Sequence, residues 1–535
     1  MAIFAPSESP AVIVKEVDLT GGVPNVQSTT GAFMGEFRWG PVEKATLVSN
    51  EAGLASTFAA PGATTNVDFL SAANFLRYAN SLQVTRVVDA TAANSVNSGG
   101  TATLIKNNEH WENNSSYTMD SDNRIFAKYP GAVGNSLRVV ATGSTGWANW
   151  PYKANFDGAP TGTERHVLVL DEDGVITGTA GTVLERFAFV EDDSAATNTD
   201  GSSNYVKDVV NRGSNWVRVA GGLDSGDWSL ASGADGSPAG ASDFVSAASV
   251  FEDKDTITVD FLIAPGSGTT ATNATITDEL VRIAETRKDC VVVASPASEN
   301  VINNADPVTA TTAETNAMDW SSYLIVDNNW LKVYDKYNDT YVYIPAASST
   351  AGIMAASDND NAPWYSPAGV RRGQYFGVTN LAYTPTKAQR DTLYKAGVNP
   401  IANLPGQGIL LYGDKTHLNR PSAFDRINVR RLFVVIERAI GLAARNTLFE
   451  LNDEFTRAEF VNIVEPFLRE IKGRRGITDF RVVCDETNNT PDIIDRNEFI
   501  ANIFIKPARS INYITLNFVA VRTGVDFEEV AGLSV

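Results

Sequence analysis

The 535-residue sequence is poor in the residues that most often bind metals or carry covalent chemistry. It contains two cysteines, Cys290 and Cys484, and three widely spaced histidines, His110, His166 and His417. Both cysteines lie in apolar runs typical of strands, which favours buried free thiols over a disulfide or a metal site. No His-Glu-x-x-His pattern occurs. We therefore expect no metal site and no cofactor.

Patterns that mark common enzyme sites are absent as well. The chain has neither the Gly-x-x-x-x-Gly-Lys-Ser/Thr phosphate loop nor the Gly-x-Ser-x-Gly nucleophile turn. Residues 171–174 and 358–361 resemble fragments of calcium loops, but neither has the full twelve-residue ligand spacing. Turns rich in Asp and Asn are common for other reasons. Nothing in the sequence gives positive support for an enzyme.

Long hydrophobic runs are also missing. No stretch of about 18 uncharged apolar residues occurs, so no membrane span is expected. The first residues lack the basic region and apolar core of a secretory signal. With 43% hydrophobic and 20% charged residues, the composition is that of a folded, multidomain protein.

Charge is distributed unevenly along the chain. Residues 1–369 carry 21 Lys and Arg against 44 Asp and Glu, a net of −23, whereas residues 370–535 carry 22 against 19, a net of +3. The two parts sum to the total of −20. An acidic body argues against nucleic acid as the main partner. The last third is close to neutral and rich in arginine.

The first two thirds of the sequence show two different patterns of residue types. Strand-like runs around a helical pattern at residues 67–82 predict an α/β unit. Residues 91–242 are rich in Gly, Ser, Thr, Asn and Asp, with short β-like runs, which is typical of an inserted β-rich domain. The α/β pattern resumes at residues 257–296, where a strand, a helix over 277–288 and a second strand are expected.

The last third has the most regular pattern. Apolar residues over 425–450 recur on one face of a long amphipathic helix. Thr456, with Glu459 three residues later, predicts the start of a second helix, which Gly473 ends. Strands are predicted at three further ranges: 479–485, 499–506 and 511–522.

Both ends of the chain carry short strand-like segments bounded by turn residues. Their apolar side chains are Val12, Ile13, Val14 and Val17 at the start, and Val525, Phe527 and Val530 at the end. A single short strand cannot bury itself, so each segment must pair with a distant part of the chain or with another chain.

The predicted fold class is α+β, multidomain: an α/β core, a C-terminal part of helices with a small sheet, and an inserted β-rich outer domain. The expected limits are an N-terminal arm at 1–25, a middle domain at 26–90 and 243–370, the insertion at 91–242, a C-terminal core domain at 371–522 and a C-terminal arm at 523–535.

Several stretches resemble one protein family and follow the same order along the chain: residues 10–18 (PAVIVKEVD), 30–41 (TGAFMGEFRWGP), 364–373 (WYSPAGVRRG), 394–399 (YKAGVN), 404–408 (LPGQG), 411–416 (LYGDKT), 427–437 (INVRRLFVVIE) and 485–489 (DETNN). They are similar to the contractile tail sheath family of T4-like phages. The resemblance covers the first 90 and the last 190 or so residues, and it is looser over residues 90–345.

This resemblance implies a structural subunit without enzyme activity, located in the virion as part of the phage tail sheath and assembled in the host cytoplasm. Such subunits form stacked hexameric rings around a tail tube and contract by rearrangement, which drives the tube through the host envelope. The implied partners are further copies of the chain, the tail tube protein, and the baseplate and tail terminator proteins. Neither direct nucleic-acid binding nor membrane insertion is expected.

The resemblance also implies that both arms add strands to a small sheet of neighbouring subunits. Gly21, Gly22 and Gly524 lie where the arms would leave the body; they are either hinges or ordinary turn glycines. Lys472, Arg474 and Arg475 cluster at a predicted helix end. They either meet helix carbonyls or face an acidic tube surface, with the core domain on the tube.

Two other functions remain open on the sequence alone. The sheath of a bacterial contractile injection particle would use the same core. Another virion structural protein, such as a baseplate or capsid component, would form no tubes.

Overall fold

The structure is a computed structural model that describes residues 28–97, 102–114, 123–266 and 268–512. Its strands, in chain order, are β1 (Gly31–Glu36), β2 (Thr46–Val48), β3 (Leu82–Val87), β4 (Val96–Asn97), β5 (Ile125–Ala127), β6 (Leu137–Thr142), β7 (Glu164–Asp171), β8 (Thr182–Glu191), β9 (Val217–Val219), β10 (Gly226–Ala231), β11 (Phe261–Ile263), β12 (Val291–Ala294), β13 (Leu324–Asp327), β14 (Trp330–Asp335), β15 (Thr340–Pro345), β16 (Asn380–Leu381), β17 (Val398–Asn399), β18 (Ile401–Leu404), β19 (Gly408–Leu411), β20 (Ile477–Val483) and β21 (Asn502–Pro507).

The α-helices of the described part, in chain order, are α1 (Glu51–Phe58), α2 (Asn66–Phe75), α3 (Asn108–Glu112), α4 (Val206–Gly213), α5 (Ala241–Ala248), α6 (Thr270–Arg287), α7 (Ser298–Val301), α8 (Pro307–Ala317), α9 (Ala347–Asp360), α10 (Lys387–Lys395), α11 (Ile427–Ala444), α12 (Glu454–Gly473) and α13 (Pro491–Asp495). None of them combines the length and the apolar character that crossing a bilayer requires.

A seven-stranded sheet with the order β17-β13-β12-β11-β1-β3-β2 forms the centre of the protein. Its strands are parallel, except that the edge strand β2 runs antiparallel to β3. Parallel strands covered on both faces are continuously apolar, as in β12, where all four residues are buried. Helices α2 and α9 cover one face of the sheet, and α5, α6 and α8 cover the other. The fold therefore contains the predicted α/β core.

A second seven-stranded sheet, with the order β8-β7-β6-β10-β4-β5-β9, is built from strands that all lie between Val96 and Ala231. Its neighbouring strands are antiparallel. Their inward side chains form a separate hydrophobic core. Smaller sheets join β15, β14 and β16, then β18 and β19, and finally β20 and β21.

The antiparallel sheet is fastened to the central sheet by a fully buried arginine of β3. Arg86 donates hydrogen bonds to the carbonyl oxygens of Phe37, Gly40 and Pro130 at 2.7, 3.1 and 2.8 Å. The first two carbonyls follow β1, whereas the third precedes β6. Burial lowers the pKa of Arg86 to about 10. One side chain thus joins segments from both sheets.

The structure corrects the boundaries of three helices. The helix predicted over 67–82 ends at Phe75, because Leu82 already begins β3 in the central sheet. The helix predicted over 277–288 begins seven residues earlier, at Thr270, where the hydroxyl of Thr269 caps it. The long helix predicted over 425–450 is α11, which is limited to Ile427–Ala444.

The predicted capping residue of the second C-terminal helix is also wrong. Helix α12 begins before Thr456, because the carboxylate of Asp453 accepts a hydrogen bond from the Thr456 backbone N–H at 2.8 Å. Its predicted end at Gly473 agrees with the structure. The strand predicted over 511–522 lies almost wholly outside the described residues.

Candidate functional site

Helix α11 is attached to the central sheet through buried charges. The Arg431 guanidinium pairs with the Asp358 carboxylate of α9 through both of its terminal nitrogens, one at 2.7 Å. The two side chains are only 5% and 2% exposed. About two turns further along the helix, Arg438 pairs with Asp260 at 2.5 Å and also donates to the carbonyl oxygens of Val259 and Asp289.

These carboxylates are costly to bury and depend on their partners. Burial raises the pKa of Asp260 to about 6, while the positive charge of Arg438 opposes that rise. Burial likewise raises the pKa of Asp358, against the opposing charge of Arg431. Ser28, the first described residue, also donates a hydrogen bond to Asp358 at 2.8 Å. The helix is therefore tied to the sheet in one defined position.

Arg430 has a different environment on the same helix. Its guanidinium carbon lies 3.9 Å from the ring centre of Phe424 and 4.2 Å from that of Tyr323. It also donates a hydrogen bond to the hydroxyl of Ser322 at 2.6 Å. Burial lowers its pKa. Cation–π contacts of this kind hold a charge at an aromatic surface without a carboxylate.

Asp414 joins the start of α11 to the end of the described chain. Its carboxylate accepts hydrogen bonds from Arg426 at 2.9 Å, from Ser366 at 3.1 Å and from Ser510 at 2.7 Å. Burial favours the neutral acid, but the hydrogen bond from Ser510 and the charge of Arg426 lower the pKa of Asp414 overall. The chain beyond β21 is thereby directed past the first turn of α11.

Lys472, Arg474 and Arg475, for which the sequence left either helix carbonyls or a tail tube as partners, lie together at the end of α12. Lys472 contacts Asp479 at 3.0 Å. Arg474 covers the ring of Trp364 at 4.9 Å and donates to the carbonyl oxygen of Asn361 at 3.2 Å. The backbone N–H of Arg475 donates to the carbonyl oxygen of Lys472 at 3.1 Å, with φ at +65°. All three lie near the surface, and Lys472 and Arg474 are about half exposed.

Strands β20 and β21 form an isolated antiparallel ladder from Ile477 paired with Pro507 to Val483 paired with Asn502. One face packs on α11 and α12 in a small apolar core. The other face is open, and Phe504 is 59% exposed. Within the described residues, no third strand pairs with either outer edge. Free edges of this kind are ready to accept another strand.

The residues predicted for the arms and their hinges lie outside the described part of the chain. They are Val12, Ile13, Val14, Val17, Val525, Phe527, Val530, Gly21, Gly22 and Gly524.

Sequence reasoning missed the carboxylates that fix α11. Residues 358–361 looked like part of a calcium loop, yet Asp358 is an ion-pair partner of Arg431. The one available signal is an aspartate on the apolar side of a helix or strand, where a buried acid requires a nearby cation. Which cation it meets is decided by the tertiary fold.

Two family models match the chain. The phage tail sheath protein central domain matches residues 238–417, and the phage tail sheath C-terminal domain matches residues 419–520. Together they cover the central sheet from β11 onward, helices α11 and α12, and the β20–β21 ladder.

The chain is also similar to complete tail sheath proteins. It is 30% identical to that of Enterobacteria phage T4, over 98% of this chain and 99% of the relative. It is 32% identical to that of Salmonella phage ViI, over 99% of this chain and 98% of the relative.

Solved structures share the fold at lower identity. A sheath tail protein from Listeria innocua is similar with a TM-score of 0.58 and 14% identity, over 91% of this chain and 94% of that one. The helical sheath of the anti-feeding prophage in its contracted state gives 0.55 and 12%, over 96% and 99%. By the near-complete coverage of the phage relatives at 30% identity and more, this chain belongs to the phage tail sheath family.

Proposed function

We propose that the protein is the structural subunit of a contractile phage tail sheath, a component of the virion. Copies polymerise as stacked hexameric rings around the tail tube and rearrange during contraction to drive the tube through the host envelope. The observation that carries this proposal is the β20–β21 ladder with two free edges among the described residues, in a chain of the tail sheath family. Because the family consists of structural subunits, we also propose that this protein is not an enzyme.

The free edges match the strand-like ends of the sequence. Residues 11–17 and 525–530 are short and apolar, and strand addition to β20 or β21 of a neighbour would satisfy their backbone groups. Each main-chain hydrogen bond contributes a net of about 0.5–1.5 kcal/mol, so one arm alone binds weakly. Repeated around a ring, the arms act at high effective concentration and form a connected mesh.

The buried ion pairs of α11 support a rigid subunit body. Because Arg431 and Arg438 fix α11 to the central sheet, the C-terminal part would move together with the middle domain during contraction. The arms, joined to the body at Gly21, Gly22 and Gly524, would keep neighbouring subunits connected while the bodies rotate.

We propose the domain limits that the sequence predicts, except that the middle domain also includes strand β17. This strand, at Val398–Asn399, pairs within the central sheet although it follows residue 370. The insertion at 91–242 would lie on the outside of the sheath, and the C-terminal core domain would face the tube. Lys472, Arg474 and Arg475 are the proposed contacts with an acidic tube surface.

The proposed partners are further copies of the chain, the baseplate, the tail tube protein and the tail terminator protein. A sheath of a bacterial contractile injection particle is the alternative, because the contracted sheath of the anti-feeding prophage shares the fold. The phage relatives are more than twice as similar in sequence, which favours the phage tail.

Electron microscopy of the purified protein tests the proposal. The full chain should form rings or tubes in negative stain, whereas a chain lacking residues 1–20 should remain a folded, soluble subunit. A matched pair refines the test: Ile13→Pro removes a backbone donor from the arm strand, and Ile13→Thr keeps it. Tubes from the shortened chain, or equal assembly by both variants, would contradict the role of the arm.

A further inference from the structure

The turn between α11 and α12, together with the first two residues of α12, exposes an unusual amount of apolar surface. Residues 448–455, which we call the acidic turn, have the sequence LFELNDEF. Leu448, Phe449, Leu451 and Phe455 are 61 to 104% exposed. Three carboxylates, at Glu450, Asp453 and Glu454, lie among them. Exposed apolar clusters of this kind with a polar rim mark sites of protein–protein contact.

A second exposed apolar surface has the opposite charge. We call it the basic band; it comprises Val370, Arg371, Phe376, Tyr412, Arg77 and Arg390. Its three apolar members are 48 to 59% exposed, and residues 370–377 contain two arginines and no carboxylate.

The members of the basic band lie side by side in the fold. Phe376 packs on Tyr78, with ring centres 5.7 Å apart, next to Arg77. The Arg390 guanidinium lies 5.7 Å from the ring centre of Tyr412. Backbone hydrogen bonds between Leu411 and Gly369 and between Leu411 and Gly373 bring the Tyr412 and Val370 regions together.

The two surfaces lie at opposite ends of helix α11. Tyr412 is two residues from Asp414, which binds Arg426, the residue before the first turn of α11. The acidic turn begins four residues after the last residue of the same helix. Eighteen helical residues span about 27 Å. The acidic turn and the basic band of one chain therefore do not meet.

We infer that the acidic turn of one copy docks on the basic band of the next copy. The occupant of the band is a second copy of this chain, because the two surfaces are complementary in charge and both are apolar at their centres. A contact between two different surfaces of identical chains is heterologous, so it propagates into a ring or a helix rather than closing as a dimer. The inference rests on the proposed assembly and adds a body-to-body contact to the arm mesh.

Charge exchange within one chain tests the contact. Glu450→Arg and Arg371→Glu, each alone, place like charges together at every junction. Each should raise the concentration needed for assembly about tenfold, equivalent to about 1.4 kcal/mol per junction. The chain carrying both substitutions restores opposite charges at every junction and should assemble near the wild-type concentration. Failure of the double variant to recover would overturn the inference.

A matched pair of leucines tests the apolar part. Leu448 in the acidic turn and Leu47 in β2 are both 61% exposed, and Leu47 belongs to neither surface. Leu448→Ser should weaken assembly several-fold, whereas Leu47→Ser should leave it unchanged. Equal effects of the two substitutions would contradict docking at the turn.

Cysteine cross-linking gives an independent readout, because both native cysteines are buried. A single chain that carries both Phe449→Cys and Phe376→Cys should form disulfide-linked dimers, trimers and larger species on mild oxidation of assembled protein.

If the wild-type chain assembles but the double-cysteine chain forms no such cross-linked species, this contact is rejected and the proposed function stays intact. No assembly of the wild-type chain would reject the proposed function itself. If Glu450→Arg loses binding to the tube protein but still assembles normally without tubes, the acidic turn contacts the tube and the inference is overturned.

Discussion

At the scale of single residues, the attachment of α11 depends on charges that are almost removed from water. The Arg438 and Asp260 side chains are 9% and 5% exposed, whereas Arg445 and Asp255, near the end of the same helix, are 58% and 62% exposed. Removing one partner of a buried pair leaves an uncompensated charge, while an exposed pair is screened by solvent. The two pairs therefore offer a direct comparison.

Arg438→Met should destabilise the monomeric subunit by about 3–5 kcal/mol, because Asp260 stays buried without its cation. Arg445→Met should change stability by at most about 1 kcal/mol. Urea unfolding followed by tryptophan fluorescence measures both values. A similar loss for both variants would show that the buried pair does not hold α11 in place.

The buried carboxyl group of Asp68 should make the free energy of unfolding depend on pH, with a defined sign. Burial raises its pKa to about 7, although its carboxylate accepts the Glu36 backbone N–H at 2.7 Å. An unfolded aspartate has a pKa of about 3.9. Between these values the folded state binds more protons, so this group lowers the free energy of unfolding as the pH rises from about 4 to 7.

Asp68→Asn removes that titration and keeps an acceptor for the Glu36 N–H. The variant should be more stable than the wild-type chain above pH 7, and the difference should disappear near pH 4. Asp306→Asn is the control, because Asp306 is exposed and hydrogen bonds lower its pKa. Thermal unfolding across this pH range measures the difference, and parallel curves for the Asp68→Asn variant and the wild-type chain would refute the assignment.

Individual buried charges were the hardest feature to predict from the sequence. Strand-like runs around the first helical pattern were predicted, but not that Arg86 of β3 would donate hydrogen bonds to three carbonyl groups in loops next to two sheets. The ion-pair partner of Arg431 is 73 residues away in the chain, and the carbonyl partners of Arg86 are 44 to 49 residues away. Local periodicity carries no information on such contacts.

At the scale of helices and strands, the sequence was a better guide where local signals were strong. Gly473 ends α12 as predicted, and β12 follows α6 where a second strand was expected after that helix. Prediction failed where tertiary pairing decided the boundary, as at residues 76–82, or where a weak cap was overlooked, as at Thr269. The order of strands in the sheets depends on pairing between residues far apart in the chain, so local sequence patterns do not predict it.

The β20–β21 ladder provides a prediction at this scale. Phe504→Lys should leave the subunit folded, because Phe504 is 59% exposed, but should reduce assembly by placing a charge at the site of strand addition. Tyr334→Lys is the matched control: it changes an exposed aromatic on β14, which already pairs with β15 and β16. Sedimentation of assembled protein separates the two variants, and equal sedimentation would count against the ladder as the docking site.

At the scale of the whole molecule, the proposal combines a rigid body with terminal strands that pair with neighbouring copies. The sequence resemblance gave the family, which the relatives confirm. It did not give the body-to-body surfaces, because the acidic turn and the basic band depend on which side chains the fold leaves exposed.

Tube binding is a separate part of the proposed function. Charge reversal at Lys472, Arg474 and Arg475 together should weaken assembly on the tail tube and spare tube-free polysheath, because these charges lie on the proposed tube-facing surface and belong neither to the arms nor to the body-to-body contact. Pelleting with purified tubes at several salt concentrations measures this, since screening should reduce wild-type binding as well. Unchanged tube binding by the triple variant would exclude this surface as the contact.

The most direct test of the account is a cryo-electron microscopy map of tubes formed by the full chain. The predicted result is a β20–β21 ladder extended at its edges by strands from neighbouring copies. Residues 11–17 of one neighbouring copy and residues 525–530 of another form these strands. Tubes in which neither edge carries a strand from another copy would contradict the account.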